Sequence, residues 1–196
     1  MRKLIMLGTL SLTLLLYGCG SSPRTNYYLL TAENISPPSG ETPALGIGPI
    51  EIPEYLKRDN IIYKRQGNKL QVATTDNWAE PLEGGIVRVL TLNLANQLNT
   101  HNVRSFPWHP ERAPDYGIKV NLFTLDANDS EATLSAEWLV YRPANAETVQ
   151  RRISKLQVSL PPGELRAEQV ALAYSTLLEQ LSDIIASVIT ADQADK

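Results

Sequence analysis

The chain is poor in the side chains that most often carry chemistry. Its 196 residues include one cysteine, two histidines and two methionines. A lone cysteine excludes an internal disulfide, and His101 and His109 stand in no zinc-binding spacing such as H-E-x-x-H. No G-x-S-x-G elbow surrounds a serine, and no Gly-rich phosphate loop precedes a helical segment, so hydrolase and nucleotide-binding readings have little support. Positive charge is also scarce. The 18 Lys and Arg are outnumbered by 21 Asp and Glu, which speaks against nucleic acid, whose phosphates call for a basic patch. Asp126, Asn128, Asp129 and Glu131 gather oxygen ligands but lack the mid-loop Gly and terminal Glu spacing of a calcium loop; Asn/Asp/Ser clusters are the ordinary material of hairpin turns. Glu51 and Glu54 could pair as acid and base, but nothing in the sequence brings them to a cleft. No enzyme, no metal and no cofactor is expected.

What is present begins at the N-terminus. Arg2 and Lys3 precede a largely apolar run from Leu4 to Leu16, followed by Leu16-Tyr17-Gly18-Cys19. As a helix these 13 residues reach only about 20 Å, too short for a hydrocarbon core of about 30 Å. A basic start, a short apolar stretch and a small residue before cysteine resemble a bacterial lipoprotein signal peptide. Residues 1–18 are therefore read as cleaved and Cys19 as the acylated residue; a buried N-terminal helix is the alternative. Loss of Arg2 and Lys3 takes the formal charge from −3 to −5. No polybasic segment adjoins Cys19, so membrane attachment rests on acyl chains, of which similar bacterial lipoproteins carry three. By the sorting pattern of such lipoproteins, Gly20 rather than Asp after the cysteine points to the outer membrane.

Cleavage removes 18 of the 196 residues and leaves 178, suited to a single domain able to bury a core without crosslinks. Residues 19–26, rich in Gly, Ser and Pro, form a lipidated tether, and 27–196 the domain. Tyr27 to Leu30 reads as a strand, Ser36 to Pro43 as a loop, and Ala44 to Ile52 as an extended segment whose Gly46, Gly48 and Pro49 predict a bulge or a place near an edge. Pro53-Glu54-Tyr55-Leu56 makes a turn. Asn60 to Gln66 and Lys69 to Thr75 flank Gly67-Asn68 and predict a tight hairpin. Asn77-Trp78-Ala79-Glu80 has the form of a capping box with Pro81 in the first helical turn. Leu82, Ile86, Val89, Leu90, Asn93, Leu94 and Leu98 then follow at helical steps.

Val103 to Phe106 can open another strand. Tyr116 to Leu122 and Ala132 to Val140 alternate with period two, and Thr148 to Leu160 supplies a third partner. After Pro161-Pro162-Gly163, the residues from Glu164 to Thr190 carry a broad apolar helical stripe. Strands, helix, strands, helix predicts an α+β fold: a mostly antiparallel or mixed sheet with two long helices on one face. Tyr27, Tyr28, Tyr55, Trp78, Trp108 and Trp138 mostly fall at element ends, where an aromatic ring either caps the core or anchors a partner.

Taken together, the lipobox, Tyr27-Tyr28-Leu29-Leu30, Ile52-Pro53-Glu54-Tyr55-Leu56, Ile61-Ile62-Tyr63, Asn77-Trp78-Ala79-Glu80-Pro81-Leu82 and Glu137-Trp138 resemble the PqiC-like (YmbA-like) family of ABC-type transport auxiliary lipoproteins. The resemblance implies a fold similar to the TolB N-terminal domain. It also implies a non-enzymatic role beside an MCE-domain membrane protein and its transporter, moving lipid or hydrophobic solute across the envelope. A homo-oligomer fits such an assembly. Tyr55, Leu56, Trp78 and Pro81 are the residues singled out for partner binding, the alternative being that Leu56 and Trp78 pack the helix start onto the hairpin. A direct periplasmic lipid carrier and an accessory lipoprotein of another envelope machine are the competing functions.

Overall fold

The computed structural model describes residues 23–33, 36–64 and 67–195. Cys19 and the segment read as a signal peptide lie outside the described residues. The strands are β1 (Asn26–Tyr28), β2 (Leu45–Glu51), β3 (Asn60–Lys64), β4 (Leu70–Trp78), β5 (Val103–Ser105), β6 (Tyr116–Ala127), β7 (Glu131–Arg142) and β8 (Glu147–Ser159). Two helices, α1 (Leu82–Gln97) and α2 (Ala167–Ala194), follow β4 and β8 respectively. The strands divide into a five-stranded sheet of order β5-β2-β6-β7-β8 and a three-stranded sheet of order β1-β4-β3.

The large sheet follows the period-two pattern closely. On β7, Ala132, Leu134, Ala136, Trp138 and Val140 are all buried, while the residues between them are half-exposed. This is the signature of a sheet covered on one face. Trp138 is fully enclosed and its indole Nε1–H donates to Ser154 Oγ at 2.9 Å, so the ring is buried without losing its hydrogen bond. The covering layer is the two helices. Val170, Tyr174, Leu177, Leu178, Leu181, Ile185 and Ile189 of α2 are buried, as are Leu82, Ile86, Val89, Leu90 and Leu94 of α1. By length and apolarity α2 could cross a bilayer, but over half of its most apolar window is buried inside the domain, as for a core helix.

The molecule has two distinguishable poles. At one, the end of β6 meets the first turns of α2, where the Tyr174 hydroxyl donates to Leu125 O at 3.0 Å. At the other, the Tyr116 hydroxyl and Arg142 both donate to Asp192 near the end of α2, and Arg142 also pairs with Glu147 at 2.8 Å.

Two local expectations are corrected. The Asn77–Glu80 capping box does not form: Asn77 and Trp78 are the last residues of β4, and α1 starts one residue after Pro81, which serves as the N-cap. Asn77 Oδ1 instead accepts from Asn60 Nδ2 at 2.8 Å, and the same amide donates to Ala73 O, bracing a register break that lengthens β4. The β3–β4 connection is wider than a two-residue turn, because Lys64 pairs with Leu70 across residues 65–69. The sheets are mixed, as expected. β1 runs parallel to β4, and β2 runs parallel to both β5 and β6, since the chain between β2 and β5 makes the long crossover that parallel pairing requires. β2 does carry the expected bulge, between Ile47 and Ile50, where Gly48 adopts φ +116°, and it lies one strand in from the short edge strand β5.

Candidate partner-docking site

β2 ends at Glu51, and Pro53 breaks the strand by fixing φ and withholding its donor. The chain closes into a single 3-10 turn, Glu54–Leu56, in which Leu56 N donates to Pro53 O at 2.9 Å. The turn sends its two apolar side chains to different places. Leu56 is buried in the core. Tyr55 is half-buried, and its hydroxyl donates to Asp126 Oδ1 at 2.8 Å while accepting from Leu125 N. Burial, reinforced by the Asp126 carboxylate, pushes the Tyr55 phenol far above its ordinary range, so it stays a neutral donor. Lys64 Nζ stands 3.5 Å from the other Asp126 oxygen. Tyr55 is thus a tie between the turn and the end of β6.

Trp78 is also a core residue, only 6% exposed, with its ring stacked on Tyr174 at 6.1 Å between centroids. Its backbone N–H donates to Asp59 O and that of Ala79 to Tyr28 O, so the segment entering α1 is pinned on both sides. Glu80 turns back onto Arg88 in α1, whose guanidinium also donates to Leu30 O at 2.9 Å. This clamp was not legible in the sequence; its only signal is a cation amid the apolar positions of α1.

Of the four singled-out residues, then, Leu56 and Trp78 are buried in the core. Pro81 is exposed and Tyr55 half-exposed. Pro81 forms a ridge between two depressions of about 300 Å³ each. One is floored by Ile52 and Leu82 and rimmed by Lys57, Arg58, Asp59 and Glu83. The other is lined by Tyr27, Asn77, Trp78 and Glu80. The apolar floor and mixed charged rim of the first suit protein contact. The acidic loop noted in the sequence is used otherwise: Asn128 Oδ1 accepts from Ser130 N and Glu131 N, and Asp126 from Tyr55. Among the described residues no cluster of three or more metal-type ligands occurs. His101 and His109 are exposed, and His109 Nδ1 accepts from Glu111 N in a local turn.

A family model described as "ABC-type transport auxiliary lipoprotein component" matches residues 27–186. The chain belongs to this family. Among curated relatives, this auxiliary lipoprotein is 27% identical over 146 residues to the intermembrane transport lipoprotein PqiC of Escherichia coli K12, covering 69% of this chain and 77% of PqiC. PqiC of Shigella flexneri gives the same figures. The fold matches the crystal structure of protein XCC0632 from Xanthomonas campestris with a TM-score of 0.67 at 14% identity, over 87% of this chain and 99% of that one. A crystal structure of an uncharacterized protein matches equally well, with a TM-score of 0.67 at 20% identity over 85% and 99%. The matched span runs from β1 into the last third of α2 and so includes the Tyr55 turn, Pro81 and both depressions.

Proposed function

We propose that this lipoprotein is held at the outer membrane by acylated Cys19, with residues 27–196 facing the periplasm as a non-enzymatic component of an MCE-type, ABC-driven transport system for lipid or hydrophobic solute. The observation that carries this reading is the family match over nearly all of the domain, together with the likeness to PqiC. The lipobox and Gly20 support the anchor and its membrane. In this reading an MCE-domain protein seats on the Pro81 ridge and its flanking depressions, with Tyr55 holding the Lys57–Asp59 rim in place. The space between sheet and helices is filled by fully buried Trp138, Leu134, Leu177, Leu181 and Ile185, which favours an adaptor over a carrier with an acyl chain between those layers.

The test is capture from solubilised envelopes with the native lipidated protein tagged at its C-terminus, against Cys19→Ala and Pro81→Asp. Recovery of an MCE-domain protein that falls with Pro81→Asp, at unchanged melting temperature, supports both the system and the surface. Consistent recovery of a different envelope complex in its place overturns the assignment.

A further inference from the structure

The pairing of β1 sets the direction of the strand that follows the tether. Asn26 sits opposite Asp76 and Tyr28 opposite Trp78 in a parallel ladder. Followed backwards from Asn26, the chain therefore heads towards the start of β4, the side on which the β3–β4 hairpin projects. Cys19 is seven residues before Asn26, a span of at most about 25 Å when fully extended. The same hairpin touches the pole where β6 ends, through Lys64 and Asp126. The opposite pole, with the β7–β8 turn, Asp192 and Arg142, is a strand length away.

The hairpin has the chemistry of a lipid-facing tip. Leu70 and Val72 alternate on one face of β4 and are both over 40% exposed, an unusual exposure for two neighbouring apolar side chains on one strand face. From Asn60 to Thr75 the sequence holds three basic residues and no acid, although the whole chain has a formal net charge of −3. Lys69 is exposed beside Leu70, and Arg24 is exposed on the approaching tether. An apolar pair flanked by cations at the entry side of a lipid tether matches the interface of an anionic bilayer, where apolar groups enter the headgroup and acyl boundary and Lys or Arg face phosphate.

We propose that the β3–β4 hairpin, through Leu70, Val72 and Lys69, rests in the phospholipid surface that the acylated Cys19 enters, and so orients the domain with its β7–β8 turn pointing away from the membrane. This rests on the acylation of Cys19 in the reading above. Because that cysteine would be blocked as a thioether, a single introduced cysteine can be labelled selectively.

The acylated protein, carrying Leu70→Cys, Val72→Cys or, as the distal reference, Ala144→Cys in the β7–β8 turn, is labelled with an environment-sensitive fluorophore. It is reconstituted into vesicles of phosphatidylethanolamine and phosphatidylglycerol with brominated acyl chains. Loss of most of the emission at positions 70 and 72, with position 144 unquenched, is the expected result. Intact acyl mass on Cys19 with positions 70 and 72 no more quenched than 144 overturns the hairpin proposal alone. A Cys19 found without acyl mass in protein recovered from its native membrane overturns the anchor and the proposal together.

Discussion

Replacing Trp78 by alanine should cost stability, although Trp78 lies beside a turn and next to an exposed proline. The ring is 6% exposed and stacks on Tyr174, itself buried and hydrogen-bonded to Leu125 O. Truncating a buried Trp removes its transfer free energy and leaves a cavity that the neighbouring strand and helix close only in part, a cost of about 3–5 kcal/mol. For a domain of this size each kcal/mol moves the melting temperature by roughly 2–4 °C, so a drop of about 6–20 °C is expected for Trp78→Ala. Pro81→Ala, three residues away, removes an exposed ring and relaxes the unfolded chain, worth only about 0.4–1 kcal/mol. Differential scanning calorimetry of the tether-free domain gives both numbers. A Trp78→Ala melting temperature within the scatter of Pro81→Ala would refute the packing argument and return Trp78 to the surface.

Three further outcomes follow from named contacts. Ser154→Ala strips the Trp138 indole of its acceptor in a fully buried site, and an unsatisfied donor there should lower stability by about 1–3 kcal/mol, read as a shift in urea midpoint with unchanged slope. Burial and the hydrogen bond to Asp192 push the Tyr116 phenol up to about 12. The folded state therefore holds a proton that the unfolded chain releases near pH 10, and stability should fall as pH rises from 10 to 12. That decline should be shallower in Tyr116→Phe by urea titration at each pH, and an unchanged slope would contradict the assignment. Arg88→Met removes the guanidinium from Leu30 O and Glu80, so amide exchange across residues 26–31 should accelerate while that of β7 stays at the parental rate.

Much of this architecture was visible in the chain because it rests on local periodicity. Ala132 to Val140 alternates and is buried in alternation; Leu82 to Leu94 and Val170 to Ile189 repeat at helical steps and bury those faces. The parts that were not visible depend on partners distant in sequence. Asn77-Trp78-Ala79-Glu80 satisfies the local rule for a helix cap, but Asn60 and the pairing with β1 hold its first half in a strand, and Arg88 takes the glutamate. No pattern within Asn26–Tyr28 distinguishes a parallel strand from an antiparallel one. The same blindness applies to the docking site: Leu56 and Pro81 look alike as apolar residues beside turns, and only the packing of the 3-10 turn puts one inside and leaves the other on a ridge. The basic hairpin escaped notice beside Cys19 because Lys64 lies 45 residues downstream and is brought near only by the fold.

The short parallel ladder of β1 also has a mechanical meaning. A tether pulled towards a membrane draws β1 along its own axis, past β4. In that geometry the backbone hydrogen bonds of Asn26 to Tyr28 are loaded together in shear, not opened one at a time as in peeling. Just behind them, Arg88 on Leu30 O and Ser175 Oγ on Thr31 N act as stops that tie the strand to both helices. Tension arriving at three residues is thereby spread into α1 and α2, the two helices that pack on the large sheet. A body tugged between a bilayer and a transport machine would carry that strain through its core without shedding its first strand.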